Sequence, residues 1–390
     1  MKASWEIKKL GEVCEILDRL RKPITKRNRV SGPYPYYGAS GILDHVEGYL
    51  FDEMLVLLGE DGAKWEPGAK SAFSIDGKTW VNNHAHVMRP NREILNDNWL
   101  IYFLNFSDLM PYVSGMTVPK LNQGSLREIQ IPLPPLEEQK RIVSILDEAF
   151  EGLDRARENA EANLKSAREL FEGALSQKTR GDAAIKLLGD ICDVRDGTHD
   201  SPKYVDTGYP LATQKNIRLN GLSLENVKLV SAEDHQQISQ RSKVDSGDIL
   251  IAMIGANRGM SCIVETNEEF SIKNVGLVKR SLGINMQFLQ FYLRSRDAAQ
   301  FVKDATNGGA QPFIGLGKLR AFPIPVPDMT TQCEIANNLQ SLSEKVEDLT
   351  NHCQKSLTNL EDLRHSLLQK AFAGELTRET QSLHTAQQRI

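Results

Sequence analysis

Apolar residues recur along two stretches of the chain in alternating steps of four and three. In residues 137–177 they fall at Ile142, Leu146, Ala149, Leu153, Ala156, Ala160, Ala167, Leu170 and Ala174. In residues 332–372 they fall at Ile335, Leu339, Leu342, Val346, Leu349, Cys353, Leu360, Leu363 and Leu367. This spacing predicts two long helices, each with a coiled-coil seam. Neither stretch contains proline, and each stops near a glycine, Gly181 or Gly374, as a helix end does. At 1.5 Å per residue a helix of this length spans roughly 60 Å. One seam is alanine-rich and the other leucine-rich. Small residues facing large ones fill space without voids, so the two helices are expected to pack on each other.

Before each helical stretch the pattern changes to short apolar runs, such as 54–58, 248–254 and 276–280, punctuated by glycine, proline and asparagine. These predict strands, with short helices at 97–110 and 285–302 between them. The order of events occurs twice. LGEVCEI (10–16) returns as LGDICDV (188–194), EMLVLLG (53–59) as ILIAMIG (249–255), YFL (102–104) as FYL (291–293), and LREIQIPLP (126–134) as LRAFPIPVP (319–327). Such a run of correspondences implies duplication. The expected fold class is α+β: two mixed α/β domains, pseudo-twofold related, separated by two long antiparallel helices. The expected boundaries are 1–135 and 181–328 for the domains, 136–180 and 329–376 for the helices, and 377–390 for a tail.

Composition narrows the function classes. The 390 residues are 40% hydrophobic and carry a net charge of -4, so any nucleic-acid contact must come from local basic patches. The five cysteines form no C-x-x-C pair, which predicts a reducing, cytoplasmic setting and no disulfide framework. No apolar run approaches a membrane span, and MKASWEIKKLGEV lacks the apolar centre of a secretory leader.

Several segments carry a family resemblance. PLPPLEEQKRIVSILDEAFEGLD (132–154), its counterpart at 323–349, SLLQKAFAGELT (366–377), the openings at 5–16 and 185–199, and PYYGASG (35–41) resemble the type I restriction-modification specificity subunits. The likeness covers essentially the whole chain. It implies that the two globular parts are target-recognition domains reading the halves of a split DNA sequence. It also implies that the helices set the spacer and dock two modification subunits, which bind S-adenosylmethionine, and that restriction subunits join them. ATP and Mg belong to those partners, and no cofactor or metal is expected on this chain. A coiled-coil scaffold binding proteins through its globular parts is the alternative.

The residues offer no chemistry of their own. PLPPLE (132–137) lacks the Asn or Asp and the aromatic of an adenine-methylating element, and AFSIDGKT (72–79) has Ala72 where a phosphate loop needs glycine. His84 and His86 have no neighbouring ligand at metal spacing.

Reading DNA requires cations for phosphates and Arg, Lys, Asn or Gln for base edges. The densest candidate patch is RLRKPITKRNR, with Arg19, Arg21, Lys22, Lys26, Arg27 and Arg29 beside Tyr36 and Tyr37. The second half offers Thr198, His199 and Lys203, then Gln214, Lys215, Asn216 and Arg218, and Arg258. Loops before the proline segments supply Lys120, Asn122 and Gln123, and Asn307 and Gln311. Asn82, Asn83 and His84, and Lys273 with Asn274, complete the set. The halves differ in nearly every polar residue here, so the expected target is asymmetric.

Overall fold

The computed structural model describes residues 5–115, 117–179, 183–218, 220–306 and 313–377. The chain divides into two compact units, one formed by residues 1–160 with 355–390 and the other by 161–354. The expected helices run Leu136–Thr179 and Met329–Ala373. The unit boundary falls within both of them, so each unit contains part of each long helix.

In the first unit, the continuous apolar run becomes Leu55–Gly59, a fully buried inner strand. It sits in an antiparallel sheet of order Cys14–Ile16, Ala85–Pro90, Leu55–Gly59, Ala72–Ile75. A second sheet runs Gly41–Val46, Ser31–Gly38, Lys78–Val81, Phe51–Asp52, with its middle pair parallel. Glu6–Lys9 pairs with the proline-containing Gln130–Leu133 in a separate two-stranded ladder, where the missing proline N–H groups are tolerated. Helix Asp97–Phe106 starts at Asn96, whose side chain accepts the Trp99 N–H at 3.0 Å.

The second unit repeats this plan in its first sheet and varies it in the second, where the parallel pair lies at the edge. Its sheets run Val194–Asp196, Val275–Val278, Ile249–Ala252, Ser261–Ile263, and Tyr204–Val205, Lys228–Val230, Tyr209–Ala212, Ser271–Ile272. The latter again contains one parallel pair, Tyr209–Ala212 with Ser271–Ile272. Ala184–Leu187 pairs with Pro323–Val326. The glycine of each LG motif has a packing reason. A Cβ on Gly11 would lie 3.0 Å from Arg127 Cβ, and one on Gly189 would lie 3.1 Å from Arg320 Cβ. The buried glutamines at the start of the long helices also correspond. Gln139 accepts from the Asn96 N–H and donates to the carbonyls of Ile94 and Pro134; Gln332 accepts from the Asn285 N–H and donates to that of Pro327.

The ladder corrects one correspondence read from the sequence. Ile16 faces Met88 and Val194 faces Val278; Met88 in turn faces Val56, and Val278 faces Ile249. Counting along the strands, Gly59 matches Ala252 and not Gly255. Gly255 lies in the turn beyond, with φ of 80°.

The helical seam is also corrected. In the first unit, Ile142, Leu146 and the partly buried Leu153 pack with Leu367, Leu368, Ala371 and Phe372. The pairs Arg157–Glu361 and Asp154–Arg364 show the segments to be antiparallel there. In the second unit, Phe171, Ala174 and Leu175 pack with Ile335, Leu339 and Phe291. Ala149, Leu342, Val346 and Leu360 are half-buried, whereas Ala156, Leu349 and Leu363 are exposed and do not form the seam. A straight helix drifts about 20° per heptad from a strict seven-residue repeat, so a stripe projected over several heptads rotates off the packed face. Phe150 and Leu175, which the projected register skips, are buried in its place. The first helix therefore does not present an alanine-rich stripe alone.

Candidate nucleic-acid interface

The basic segment of the first unit separates into two kinds of arginine and lysine. The strand Cys14–Ile16 delivers Asp18 into a buried position, 7% exposed. Its carboxylate accepts from the Val87 N–H at 2.9 Å and the Gln123 amide at 3.0 Å, and lies 2.6 Å from His86 Nδ1. The other ring nitrogen of the fully buried His86 lies 2.7 Å from the Leu121 carbonyl. Burial works to raise the Asp18 carboxyl, but His86, Val87 and Gln123 together hold it below its ordinary value. Arg21 pairs with Asp18 and Glu60, and donates to the Ala85 carbonyl at 2.8 Å. Lys120 reaches Glu60 at 2.8 Å. Asp18, Glu60 and His86 stand close enough to resemble a metal cradle, but Arg21 and Lys120 already answer the carboxylates.

This network removes Arg21 from the expected DNA contacts, because its guanidinium is spent inside the protein. Tyr36 is buried as well. Its hydroxyl accepts the Ile24 N–H at 2.9 Å, and Arg29 lies over its ring while pairing with Asp44 at 3.2 Å. Tyr37 is half-buried against Phe73, and Asn82 is buried, accepting the His84 N–H. His84 pairs with Asp61, Asn122 donates to the Ser114 hydroxyl, and Gln123 serves Asp18. Arg19, Lys22, Lys26, Arg27 and Asn83 are exposed; the four cations have no acidic partner among the described residues.

In the second unit, Asp196 is 5% exposed and pairs with Arg241; His199 Nε2 lies 3.0 Å from it. His199 Nδ1 lies 2.8 Å from Asn274 Oδ1, and Asn274 has a left-handed φ of 54°. Lys273 donates to the Ser201 hydroxyl at 2.7 Å, and the Thr198 hydroxyl accepts the Asp200 N–H. Asn216 closes its own loop through Thr213 and Ser223, and Arg258 does so through Thr306 and Gly255. Lys203, Lys215 and Arg218 are exposed, Gln214 is half-buried, and no acidic partner of these cations is found among the described residues. Asn307 and Gln311 lie outside the described residues.

Sequence reasoning missed Asp18, Glu60, Asp196 and Arg241. The aligned carboxylate that closes LGEVCEILD and LGDICDVRD was the available signal.

The two contacts of His199, first with Asn274 and then with Asp196, raise its pKa from 6.5. The folded protein therefore holds this proton more tightly than the unfolded chain does. The contribution is complete below the unfolded value and fades as pH rises through the raised one. A chain with His199→Gln is expected to unfold earlier than the parent at about pH 6, with the difference narrowing by about pH 9. Urea midpoints across that range are the measurement, and a gap that widens with pH would contradict this linkage.

The family model for the type I restriction modification DNA specificity domain matches residues 2–164 and 182–359, one copy on each repeat. A Haemophilus influenzae protein named as a type I restriction enzyme specificity subunit (S.HindORF215P) is 42% identical over 142 residues, 36% of each chain. The chain thus spans about a third of that relative. The MjaVIII specificity subunit of Methanocaldococcus jannaschii is 22% identical over 371 residues, covering 88% of this chain and 87% of its own. Among solved structures, a chain from a study of type I restriction-modification complex assembly and conformational transition has a TM-score of 0.74 at 20% identity, covering 96% of this chain and 99% of that one. The HsdS subunit from Thermoanaerobacter tengcongensis has a TM-score of 0.58 at 20% identity, covering 96% and 98%. These two show a shared fold. With its specificity domain matched once in each repeat, the chain belongs to the type I restriction-modification DNA specificity family, and its role is DNA sequence specificity.

Proposed function

We propose that each unit reads one half of a split, asymmetric duplex target and that all catalysis belongs to partner subunits. The carrying observation is the sorting of charge just described. Buried Asp18 holds the inward-facing Arg21 in one unit and buried Asp196 holds the exposed Arg241 in the other, while Arg19, Lys22, Lys26 and Arg27, and Lys203, Lys215 and Arg218, remain at the surface without acidic partners among the described residues. Exposed unpaired cations suit phosphates, and the amides beside them (Asn83, Gln214) suit base edges.

Two modification subunits dock against the long-helix segments in this reading. A groove of about 780 Å³ in the first unit, lined by Phe150, Leu153, Leu357, Leu360 and Arg364, is one available surface. Restriction subunits join through them. S-adenosylmethionine, ATP and Mg are carried by those partners. Among the described residues no helix is long and apolar enough to cross a membrane, and the assembly works in the cytoplasm, where its DNA is.

A duplex-binding titration at several salt concentrations tests the reading. Affinity is expected to fall linearly on a log–log plot, and Lys26→Ala with Arg27→Ala should each reduce the slope by about one. Binding that is insensitive to salt would instead favour a protein-binding scaffold.

A further inference from the structure

Laying LGEVCEILD on LGDICDVRD brings Asp18 and Asp196 to one position of the repeat. Both are buried, and both meet an imidazole and a guanidinium. The suppliers differ. Ladder register places Gly276 where the first unit has His86. A Cβ there would lie 2.5 Å from Leu319 Cδ2, so a larger side chain would have to displace the buried Leu319. His199, from the loop after Asp196, fills the role, and Arg241 of helix Ala232–Ser242 replaces Arg21. What the two units share at this place is therefore the carboxylate, and not its mates.

The contacts lead outward to the polar loops. Asp18 grips Gln123 directly and Leu121 through His86, and Arg21 lies between exposed Arg19 and Lys22. Asp196 grips His199, which holds Asn274 in its left-handed turn beside Lys273. We propose that Asp18 and Asp196 are positioning residues for DNA recognition, each fixing the loops of its own unit and thereby setting base discrimination at one half of the target. The carboxylates themselves touch no DNA. Arg21 and Arg241 offset their charge, and in a low-dielectric surround their hydrogen bonds are strong and directional. The proposal rests on the DNA-reading role assigned above.

The test is selection of bound duplexes from a randomised library by the full-length chain, repeated with Asp18→Asn and Asp196→Asn. Gln123→Ala and His199→Gln spare the carboxylates and decide the matter if an Asn variant fails to fold. Asp18→Asn and Gln123→Ala should blur preference in one half of the selected sequence only, and Asp196→Asn and His199→Gln in the other. Discrimination against single-base changes in the affected half should fall roughly tenfold. A merely structural role predicts a uniform loss of binding to every duplex, or none, with both halves of the preference kept; either result overturns the proposal. If the parent chain selects no sequence at all, the DNA-reading role fails first, and the proposal falls with it.

Discussion

Replacing Arg21 with Glu is expected to lower the stability of the first unit by about 3–5 kcal/mol, the usual cost of breaking a buried ion pair. Its side chain is only 12% exposed, and it stands against Asp18, Glu60 and the Ala85 carbonyl. Reversal would place a third carboxylate among two that are already desolvated. Lys22→Glu, one residue on, should change stability by less than about 0.5 kcal/mol, because Lys22 is exposed and has no acidic partner among the described residues. It should instead weaken duplex binding. The four tryptophans of the chain, Trp5, Trp65, Trp80 and Trp99, all belong to the first unit. Urea unfolding followed by tryptophan fluorescence therefore reports that unit separately. Equal midpoints for the two variants would show that Arg21 is not held as described.

That pair of neighbours also marks how far a sequence can be read. Duplication was legible because the strand–turn–strand order, the LG motifs and the proline segments recur, and the sheet built on Leu55–Gly59 matches the one built on Ile249–Ala252 strand for strand. The sorting of Arg21 from Lys22 was not legible, since composition and spacing treat them alike. What separates them is the position of Glu60, 39 residues away in the chain, and of His86 across the sheet. His86 did carry a hint. A histidine between Ala85 and Val87 on an apolar strand needs polar partners for its ring, and two buried oxygens lie within hydrogen-bond reach of it. The helical seam failed for a different reason. Periodicity fixes a stripe on an isolated helix, but here an α/β body covers Ile142, Val143 and Phe150 as well, so the buried face is wider than a two-stranded seam and turns along the helix.

The other large effect concerns the end of the chain. Phe372 is 3% exposed, and its ring packs against Trp99 at 4.8 Å, Phe106 at 5.3 Å and Phe103 at 5.4 Å. Phe372→Ala is expected to cost about 3–5 kcal/mol, combining lost burial with a cavity that rigid aromatic neighbours cannot collapse into. Leu349→Asp, at a position first read as seam and found 40% exposed, should cost less than about 1 kcal/mol. The contrast follows from how the first unit closes. Its core joins residues near position 5 to residues near position 372, so the aromatic cluster cannot form until almost the whole chain is present. A chain ended at residue 354 keeps all of the second unit but loses Leu368, Ala371 and Phe372 from the first. Its tryptophan emission should be red-shifted and its fluorescence transition lost or greatly weakened, while circular dichroism retains a cooperative transition from the second unit. Native-like emission from that truncated chain would mean that the first unit completes its core without the returning helix.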